Sequence, residues 1–464
     1  MSKQRVMFSP VTRLSGLLSV DAVLEKGKII DAKASSTMFR GFEQLMRDRK
    51  VTDAVYLTQR VCGICSLAHG AVASYLLDEI YDNNLSENAQ YLRNVMYAAE
   101  FLQNHIRHFY LFSMPDFVKM PERPPFQGQN LTDARLNPED NQRLVGHYFE
   151  AIKAAQRAHE IVALFGGKAP HQHSFLHGGV TVAPTADNVN RAVFLLDAIC
   201  NFVKSCLVPD TELIAKVYHD YFKIGITPRR LLSFGLFRFG LKNEVYYFKG
   251  GVLEGNNLSL PRLDLISESI TNSWFAMNNG DLQPDPHKAR AYSYVIAAKY
   301  AGQYFQVGPL ARMIINGRYN GGTSTMDRIY ARTIETLLIT ELMRDWLMRL
   351  QPGPPPLAQK DTPIKTQATS VVDSMRGCLL HSAIIQDDQV VKYNIITPTC
   401  WNFSPRDAYG QYSPVESALI GTEIPRPDLT YTILGRTVRS FDPCLNCGTH
   451  VLDLKGNVKQ ELMI

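Results

Sequence analysis

Two short stretches near opposite ends of the sequence decide its interpretation: RVCGICSLAH at residues 60–69 and DPCLNCGTH at residues 442–450. Each contains one Cys-x-x-Cys pair, and the cysteines concerned are Cys62, Cys65, Cys444 and Cys447. Four thiolates brought together form a soft ligand set that suits zinc, an iron cluster or another thiophilic transition metal. Structural zinc modules usually take their ligands from one short segment, so the wide separation favours a large fold that closes around the metal, with zinc kept as an alternative.

The composition is that of an ordinary globular protein. Of 464 residues, 45% are apolar and 20% are charged, which excludes a disordered chain and a small disulfide scaffold. A formal net charge of +5 on so large a surface does not support nucleic-acid binding. The amino terminus lacks an apolar signal-peptide core, and no run approaches about eighteen uninterrupted apolar residues. We therefore expect no export signal and no transmembrane segment in this chain.

The other cysteines lie in apolar or strand-like surroundings, without the spacing of an iron–sulfur motif. They are Cys200, Cys206, Cys378 and Cys400. We expect them to be buried, unreactive thiols, so that this chain carries no iron–sulfur cluster of its own.

Apolar periodicity predicts an α+β fold that is mainly α-helical, with a core of long helices and small antiparallel sheets at its periphery. One helix is predicted after Arg40-Gly41, and the other helical patterns cover residues 67–80, 88–112, 138–165, 186–222, 286–306 and 323–350. A β-hairpin is predicted within residues 5–36 and a strand meander within residues 370–397. Ser324 is a predicted helix start and Gly166-Gly167 a predicted helix stop.

The residues around the cysteine pairs are more specific than the pairs themselves. Arg-x-Cys-Gly-x-Cys-x-x-x-His and Asp-Pro-Cys-x-x-Cys-x-x-His closely resemble the two metal-binding signatures of the large, catalytic subunit of nickel–iron hydrogenases. The resemblance continues through TMFRGFE (37–43), GGKAPH (166–171), MRG (375–377) and TPTCWNFSPRD (397–407). It therefore implies one large fold over residues 1–464.

The branch of that family is indicated by further features. The HFY motif at residues 108–110 and the overall spacing are most similar to the respiratory, hydrogen-oxidising branch. The compact length is similar to that of nickel–iron–selenium relatives, although Cys444 stands where those proteins have selenocysteine.

The resemblance implies a role for each cysteine. Cys62 and Cys444 would be terminal nickel ligands, while Cys65 and Cys447 would bridge the nickel to an iron that carries carbon monoxide and cyanide. The implied reaction is the reversible heterolytic cleavage of H2 to protons and electrons. Terminal thiolate Cys444 would be the base, assisted by the guanidinium of Arg376, which is itself a poor base because it is permanently charged.

Other residues are expected around this centre. Asp442 is similar to the carboxylate that pairs with Arg376, and an Asp before Pro and Cys can equally be the N-cap of a helix. His69, four residues after Cys65, is expected to hydrogen-bond a bridging sulfur, with a satisfied core histidine as the other interpretation. Arg60 is expected close to the ligands without binding metal.

A second ion is implied near the carboxyl terminus. Glu43 and His450 resemble the side-chain ligands of a magnesium-type ion, with the backbone carbonyl of Ile395 as a third ligand. Oxygen ligands suit magnesium, whereas an imidazole favours iron or zinc, so the identity of this ion stays open.

One motif departs from the family pattern. Where the family has Thr-Arg-x-Glu-Gly-His, with the Glu passing protons toward solvent, this chain has Thr-Arg-Leu-Ser15-Gly-Leu. A serine hydroxyl can relay a proton but cannot store one as a carboxylate does. Either Ser15 acts with water, or another acid replaces the Glu. Met375 and Asn104 are smaller departures, at positions where many relatives have Pro and Asp.

The resemblance also implies partners and processing. Electrons would pass to a smaller iron–sulfur subunit, which would also carry any export signal. Nickel-insertion proteins and an endopeptidase would mature the chain in the cytoplasm, with residues 451–464 removed after His450. The final location would be periplasmic or membrane-associated through the partner, or cytoplasmic. The competing interpretations are a non-catalytic relative such as the quinone-reductase subunit of respiratory complex I, which has lost these cysteines, and a zinc-stabilised scaffold.

Overall fold

The computed structural model of the protein describes residues 3–127, 129, 131–278 and 281–446. The predicted roles of Cys447 and His450, and the predicted extension 451–464, lie outside the described residues.

Helices make up most of the interior. Their bounds are α1 Phe42–Met46, α2 Ala54–Leu57, α3 Ser66–Ile80, α4 Glu87–Arg107, α5 Pro138–Gly166, α6 Ala186–Phe202, α7 Val208–Val217, α8 Pro309–Ile315, α9 Thr325–Arg349, α10 Pro398–Asn402, α11 Pro414–Leu419 and α12 Thr430–Ser440.

Strands form small antiparallel sheets of two or three members. Their bounds are β1 Gln4–Phe8, β2 Ser19–Glu25, β3 Lys28–Ser35, β4 Phe175–Leu176, β5 Gly179–Val180, β6 Arg230–Ser233, β7 Leu236–Phe239, β8 Val245–Phe248, β9 Gly251–Glu254, β10 Asn257–Ser259, β11 Ile266–Ser269, β12 Phe275–Asn278, β13 Asp281–Pro284, β14 Ala297–Tyr300, β15 Gln367–Ser374, β16 Gly377–Gln386 and β17 Gln389–Ile396. The predicted α+β, mainly α architecture is confirmed.

Helix α4 lies at the centre of the helical core. It packs against α5 and α9, and its apolar residues are buried together with those of its neighbours. Ser86 caps its first turn by accepting a hydrogen bond from the Ala89 amide, and a π-helical turn at His108–Ser113 continues it. The predicted helix over 88–112 is therefore confirmed. The helix places the side chains of its carboxyl-terminal half deep inside the protein, which matters for the site described below.

The predicted signals at the ends of the long helices are also confirmed. Helix α9 begins with a capping box in which the side chains of Ser324 and Asp327 each accept a hydrogen bond from the other's backbone amide. Helix α5 ends at Gly166, and Gly167 takes the left-handed conformation (φ 79°) in which glycine is favoured.

The sheets at the two ends of the chain match the predicted strands. Strands β2 and β3 form the expected hairpin, and β1 adds to β2. Strands β15, β16 and β17 form the expected meander, in which His381 pairs in register with Ile395.

The prediction of a helix over residues 286–306 is wrong. This segment contains strand β14, which pairs with β11, and turns on both sides of it. The run from Tyr292 to Ile296 is rich in aromatic and β-branched side chains, which favour extended backbone, while alanines at 297 and 298 give a helix-like spacing by coincidence. The short strands between residues 230 and 284 were also missed, because each is too short to show a periodicity.

The stretch Ala186–Val217 is the one described helical segment that has the length and apolar composition to cross a membrane. Half of its most apolar window is buried in the protein, and α6 packs on α5 and α9, as a core helix does.

A buried charge network joins the helical core to the carboxyl-terminal sheet. The guanidinium of Arg312 on α8 donates to both carboxylate oxygens of Glu335 on α9, at 2.6 and 2.7 Å, and to Asp373 on β15 at 3.2 Å. His105 on α4 lies 2.7 Å from the same Glu335 carboxylate. Charges that are wholly out of solvent persist only when paired and hydrogen-bonded, so this network fixes how four elements pack.

We predict that Arg312→Met destabilises the protein by about 3–5 kcal/mol, because two buried carboxylates lose their counter-charge. Urea unfolding followed by circular dichroism measures the change. The matched control is Arg344→Met, which breaks the half-exposed pair with Asp197 and should cost less than about 1 kcal/mol. Equal losses in the two variants would contradict the structural role of the network.

Candidate metal centre

The amino-terminal cysteine pair lies where a short helical turn gives way to helix α3. Cys62 has extended backbone, and Cys65 is the N-cap of α3. Both are buried, and the Ile64 amide donates to Cys62 Sγ at 3.4 Å. The bend between the cysteines turns both sulfur atoms toward the interior, so this pair is available as metal ligands.

The carboxyl-terminal cysteine reaches the same place through contacts with the start of the chain. The Leu445 amide donates to the Ser15 carbonyl at 2.7 Å, and the Thr399 hydroxyl donates to the Cys444 carbonyl at 2.8 Å. Gly16 (φ 92°) lies so close that a Cβ atom there would be 2.8 Å from the Asn446 nitrogen. Only glycine meets both the conformation and the close approach.

Three of the four predicted ligands are brought together. The sulfur atoms of Cys62, Cys65 and Cys444 all lie within 4.8 Å of one another, and Cys62 Sγ is 3.3 Å from Cys444 Sγ. None of the three is more than 4% exposed. Cys65 and Cys444 line a very small cavity of about 10 Å³, together with His69, Arg376 and Thr399. This is a soft, water-poor site of the kind that holds a thiophilic transition metal.

Arg376 and Asp442 form the predicted ion pair beside these sulfurs. The Arg376 Nε donates to the Asp442 carbonyl at 3.0 Å, and its Nη2 lies 3.1 Å from Asp442 Oδ1. Asn104, with its amide oriented to satisfy both neighbours, donates to Asp442 Oδ2 at 3.0 Å and accepts from Arg376 Nη2 at 2.9 Å. Nη1 of Arg376 is buried and has no hydrogen-bond partner among the described residues, and Arg376 lines the cavity.

The electrostatics of this pair match its geometry. Burial opposes the charge on Arg376, but Asp442 and the cysteine thiolates raise its pKa well above the usual value. Burial likewise opposes the charge on Asp442, and Arg376 lowers the pKa of that carboxyl. Both groups are therefore charged, and the arginine is held by its partner rather than free to accept a proton.

The alternative prediction that Asp442 is the N-cap of a helix differs from the structure. Asp442 follows the end of α12 in the left-handed conformation (φ 57°), and no helix begins at Pro443 within the part of the chain described up to residue 446. The ion pair holds the aspartate in this conformation.

His69 lies beside the cavity, but its ring contacts another histidine. Its Nδ1 is 3.1 Å from Nε2 of His381, whose Nδ1 is 2.9 Å from the Tyr393 hydroxyl. Burial lowers the pKa of His69 to about 4. Arg60 is exposed at the surface, and its carbonyl accepts a hydrogen bond from Arg40, so the structure does not place its side chain among the cysteines.

The residues predicted for the second ion lie on neighbouring elements. Glu43 is in the first turn of α1, and Ile395 is buried on β17, against which α1 packs. Burial and the nearby Glu43 carboxylate raise the pKa of Tyr393, which is two residues from Ile395. His450 lies outside the described residues.

Ser15 adjoins the Cys444 segment, as the family motif implies. Its hydroxyl accepts a hydrogen bond from the Asn446 side chain at 2.7 Å. This position holds a hydroxyl where the family motif has a carboxylate.

Sequence reasoning missed two charged groups near the site. Arg332 on α9 lies 3.9 Å from Asp442, and Glu100 on α4 binds the amides of the first turn of α3. Glu100 lies one helical turn before Asn104, so extending the helical spacing backward from Asn104 finds it. Nothing in the sequence near Arg332 points to the site.

Three buried thiols beside an arginine–aspartate pair define a thiolate metalloenzyme, and comparison with known proteins identifies its class. A model of the nickel-dependent hydrogenase family matches residues 40–124, 124–323 and 318–450. The periplasmic NiFeSe hydrogenase large subunit of Desulfomicrobium baculatum is 32% identical over 97% of this chain and 95% of its own length. The hydrogenase-2 large chain of Escherichia coli strain K12 is 28% identical over 98% of both.

A solved structure agrees with these relatives. The NiFeSe hydrogenase from D. vulgaris Hildenborough in the reduced state superposes with a TM-score of 0.93 at 33% identity, covering 97% of this chain and 100% of that one. The chain belongs to the nickel-dependent hydrogenase family. It is a hydrogenase catalytic subunit, an oxidoreductase that acts on hydrogen.

We predict that the metal-free chain binds Cd²⁺ through these thiols and shows the ultraviolet charge-transfer absorption of cadmium thiolates. Cys62→Ser should weaken binding at least about tenfold, because a neutral hydroxyl replaces a soft thiolate ligand. The matched control is Cys206→Ser, which changes a buried thiol outside the cluster. If Cys62→Ser titrated like the unsubstituted chain, the cluster would not be the metal site.

Proposed function

We propose that Cys62, Cys65, Cys444 and Cys447 hold a nickel–iron centre, with Cys62 and Cys444 as terminal nickel ligands and Cys65 and Cys447 bridging to the iron. The observation that carries this proposal is the convergence of three buried thiols, drawn from opposite ends of the chain, to within 4.8 Å of one another, two of them lining a small cavity. Their soft donor atoms and exclusion from water fit such a centre, with carbon monoxide and cyanide as the other iron ligands. When bound, the centre supplies the Lewis acidity and redox capacity for heterolytic cleavage of H2 into two protons and two electrons.

The protein's own groups then handle charge and protons. The Cys444 thiolate is positioned to take the first proton, because Cys444 and Arg376 line the same cavity. Arg376 is locked by Asp442 and Asn104, so it contributes a fixed positive charge that stabilises negative charge in the cavity. Ser15, whose hydroxyl accepts from the Asn446 side chain, would relay the proton onward from Cys444.

The proposal extends to the second ion. Glu43, the carbonyl of Ile395 and His450 together would hold a magnesium ion, or an iron ion, between α1, β17 and the carboxyl terminus. The packing of α1 on β17 supports this assignment. Such an ion would tie the last residues of the mature chain to the fold.

Electrons leave through a partner in this proposal. Within the described residues the cysteines outside the cluster are free and dispersed, and the relatives are named as large subunits or large chains. We infer a heterodimer with an iron–sulfur small subunit that receives the electrons. The chain would be matured in the cytoplasm. It would then move with its partner to the periplasm, where the Desulfomicrobium baculatum relative is located, or to a membrane surface, or it would remain in the cytoplasm.

Maturation completes the proposal. Residues 1–464 form one catalytic-subunit fold, nickel-insertion proteins load the metal, and an endopeptidase removes residues 451–464. Removing the extension leaves His450 as the terminal residue and couples closure of the last turn to metal loading.

The infrared spectrum of the mature complex tests this function. Co-expressed with its partner and maturation proteins and purified anaerobically, the chain should contain nickel and iron, end at His450 by mass spectrometry, and show bands of metal-bound carbon monoxide and cyanide. Cys444→Ala should abolish nickel binding and hydrogen oxidation, since a terminal ligand is lost, whereas Cys400→Ala removes a buried thiol elsewhere and should keep both. Zinc alone in a fully processed chain would refute the nickel–iron assignment.

The place of Ser15 leads to a separate expectation. Ser15→Glu restores a carboxylate beside the Cys444 segment, so nickel content and the infrared bands should stay unchanged while proton exchange between hydrogen gas and deuterated water rises several-fold. Ser15→Thr keeps a hydroxyl, so nickel content, the infrared bands and the rate of proton exchange should all stay unchanged. Loss of nickel from Ser15→Glu would show that the residue has a different role.

A further inference from the structure

One face of helix α4 contacts both cysteine segments. Four polar side chains follow the i, i+3, i+4, i+7 spacing that places residues on one side of a helix: Glu100, Gln103, Asn104 and Arg107. The Gln103 amide donates to the carbonyl of Ile64, between the two amino-terminal cysteines, at 3.3 Å. Asn104 forms hydrogen bonds with both Arg376 and Asp442, and Asp442 lies two residues before Cys444.

Helix α3 has an unusual beginning. Its N-cap residue is Cys65, whose side chain makes no capping hydrogen bond, because the sulfur lies in the cysteine cluster. The amides of a first helical turn have no partner within the helix and need an acceptor when buried. Here the acceptor comes from another helix: Glu100 Oε1 accepts from the Leu67 amide and Oε2 from the Ala68 amide, both at 2.8 Å.

The carboxyl group of Glu100 is almost fully buried, with 5% of the residue exposed. Burial raises its pKa to about 8, while the two amides and the positive charge of Arg376 oppose that shift. Both oxygens accept from amides, which is the arrangement of a carboxylate, and the amino-terminal end of the α3 dipole favours a negative charge there. Burying an acidic group costs free energy, so we expect Glu100 to have a specific structural role.

We propose that Glu100 is a positioning residue for the metal centre: its carboxyl group caps α3 from the neighbouring helix and thereby fixes Cys65 and His69 relative to Cys62 and Cys444. Cys65 cannot cap its own helix while its sulfur binds metal, and Glu100 performs that task in its place. This inference rests on the proposed nickel–iron function, since Cys65 is taken there as a bridging ligand.

Hydrogen exchange in the metal-free full-length chain tests the hold of Glu100 on α3. Glu100→Gln keeps the shape but turns an NH2 group toward one amide donor, so the peptide covering residues 66–69 should exchange roughly tenfold faster or more. Glu100→Asp keeps the charge but is shorter, and it should lie between the unsubstituted chain and the Gln variant. The matched control is Glu87→Gln, an exposed residue at the start of the same helix, which should change nothing in that peptide.

The loaded enzyme supplies the second readout. In Glu100→Gln the infrared bands of carbon monoxide and cyanide should shift or broaden, because Cys65 is less firmly held, and hydrogen oxidation should fall at least about tenfold. Glu100→Asp should recover part of both. If the bands and the exchange of Glu100→Gln were identical to those of Glu87→Gln, the proposal would be overturned. A lower melting temperature with unchanged bands and unchanged exchange would also overturn it, because that result indicates a general structural role.

The two inferences fail in different ways. Absence of carbon monoxide and cyanide bands from the fully processed, unsubstituted enzyme refutes the nickel–iron site. The exchange measurement on the metal-free chain still decides whether Glu100 caps α3.

Discussion

The structure depends on one constraint: thiols from opposite ends of the chain must meet out of contact with water. Three sulfur atoms within 4.8 Å of one another cannot all be ionised in a buried site unless positive charge balances them. The metal provides most of that balance in a hydrogenase, and Arg376 provides the part that belongs to the protein. The arginine is itself paired with Asp442, so the guanidinium beside the cavity is not an isolated buried cation.

This constraint explains why the helices are arranged as they are. Helix α4 crosses the interior and contacts the cysteine segments from both ends, through Gln103 on one side and Asn104 on the other. The next residue, His105, enters the Arg312–Glu335 network, which fixes α4 against α8, α9 and β15. The same rigid helix thus sets the distance between the two halves of the metal site. A site built on helices and strands keeps its geometry better than one built on loops.

Much of this could be predicted from the sequence, and the failures have physical causes. Most of the long helices and the terminal sheets have clear periodicity and capping signals, such as Ser324 and Gly167, so they were predicted correctly. The cysteine cluster and the Arg376–Asp442 pair were expected from the resemblance to the hydrogenase signatures. The strand Ala297–Tyr300 was mistaken for helix because alanines fit either period. Glu100 escaped attention because its only sequence signal is its spacing from Asn104, while its hydrogen-bond partners are backbone amides. His381, which contacts the His69 ring, likewise has no motif of its own.

The departure at Ser15 shows why motif and geometry must be considered together. The motif holds a serine where the family has an acid, and its backbone contacts the carboxyl-terminal segment: Gly16 approaches Asn446, and the Ser15 carbonyl accepts from Leu445. The loop is therefore needed to close the carboxyl-terminal segment over the site, whatever side chain it carries. Because the backbone makes the structural contacts, the side chain at position 15 can differ. Only the proton route depends on that side chain. Selection can then alter the rate of proton transfer at this position while the metal ligands stay in place.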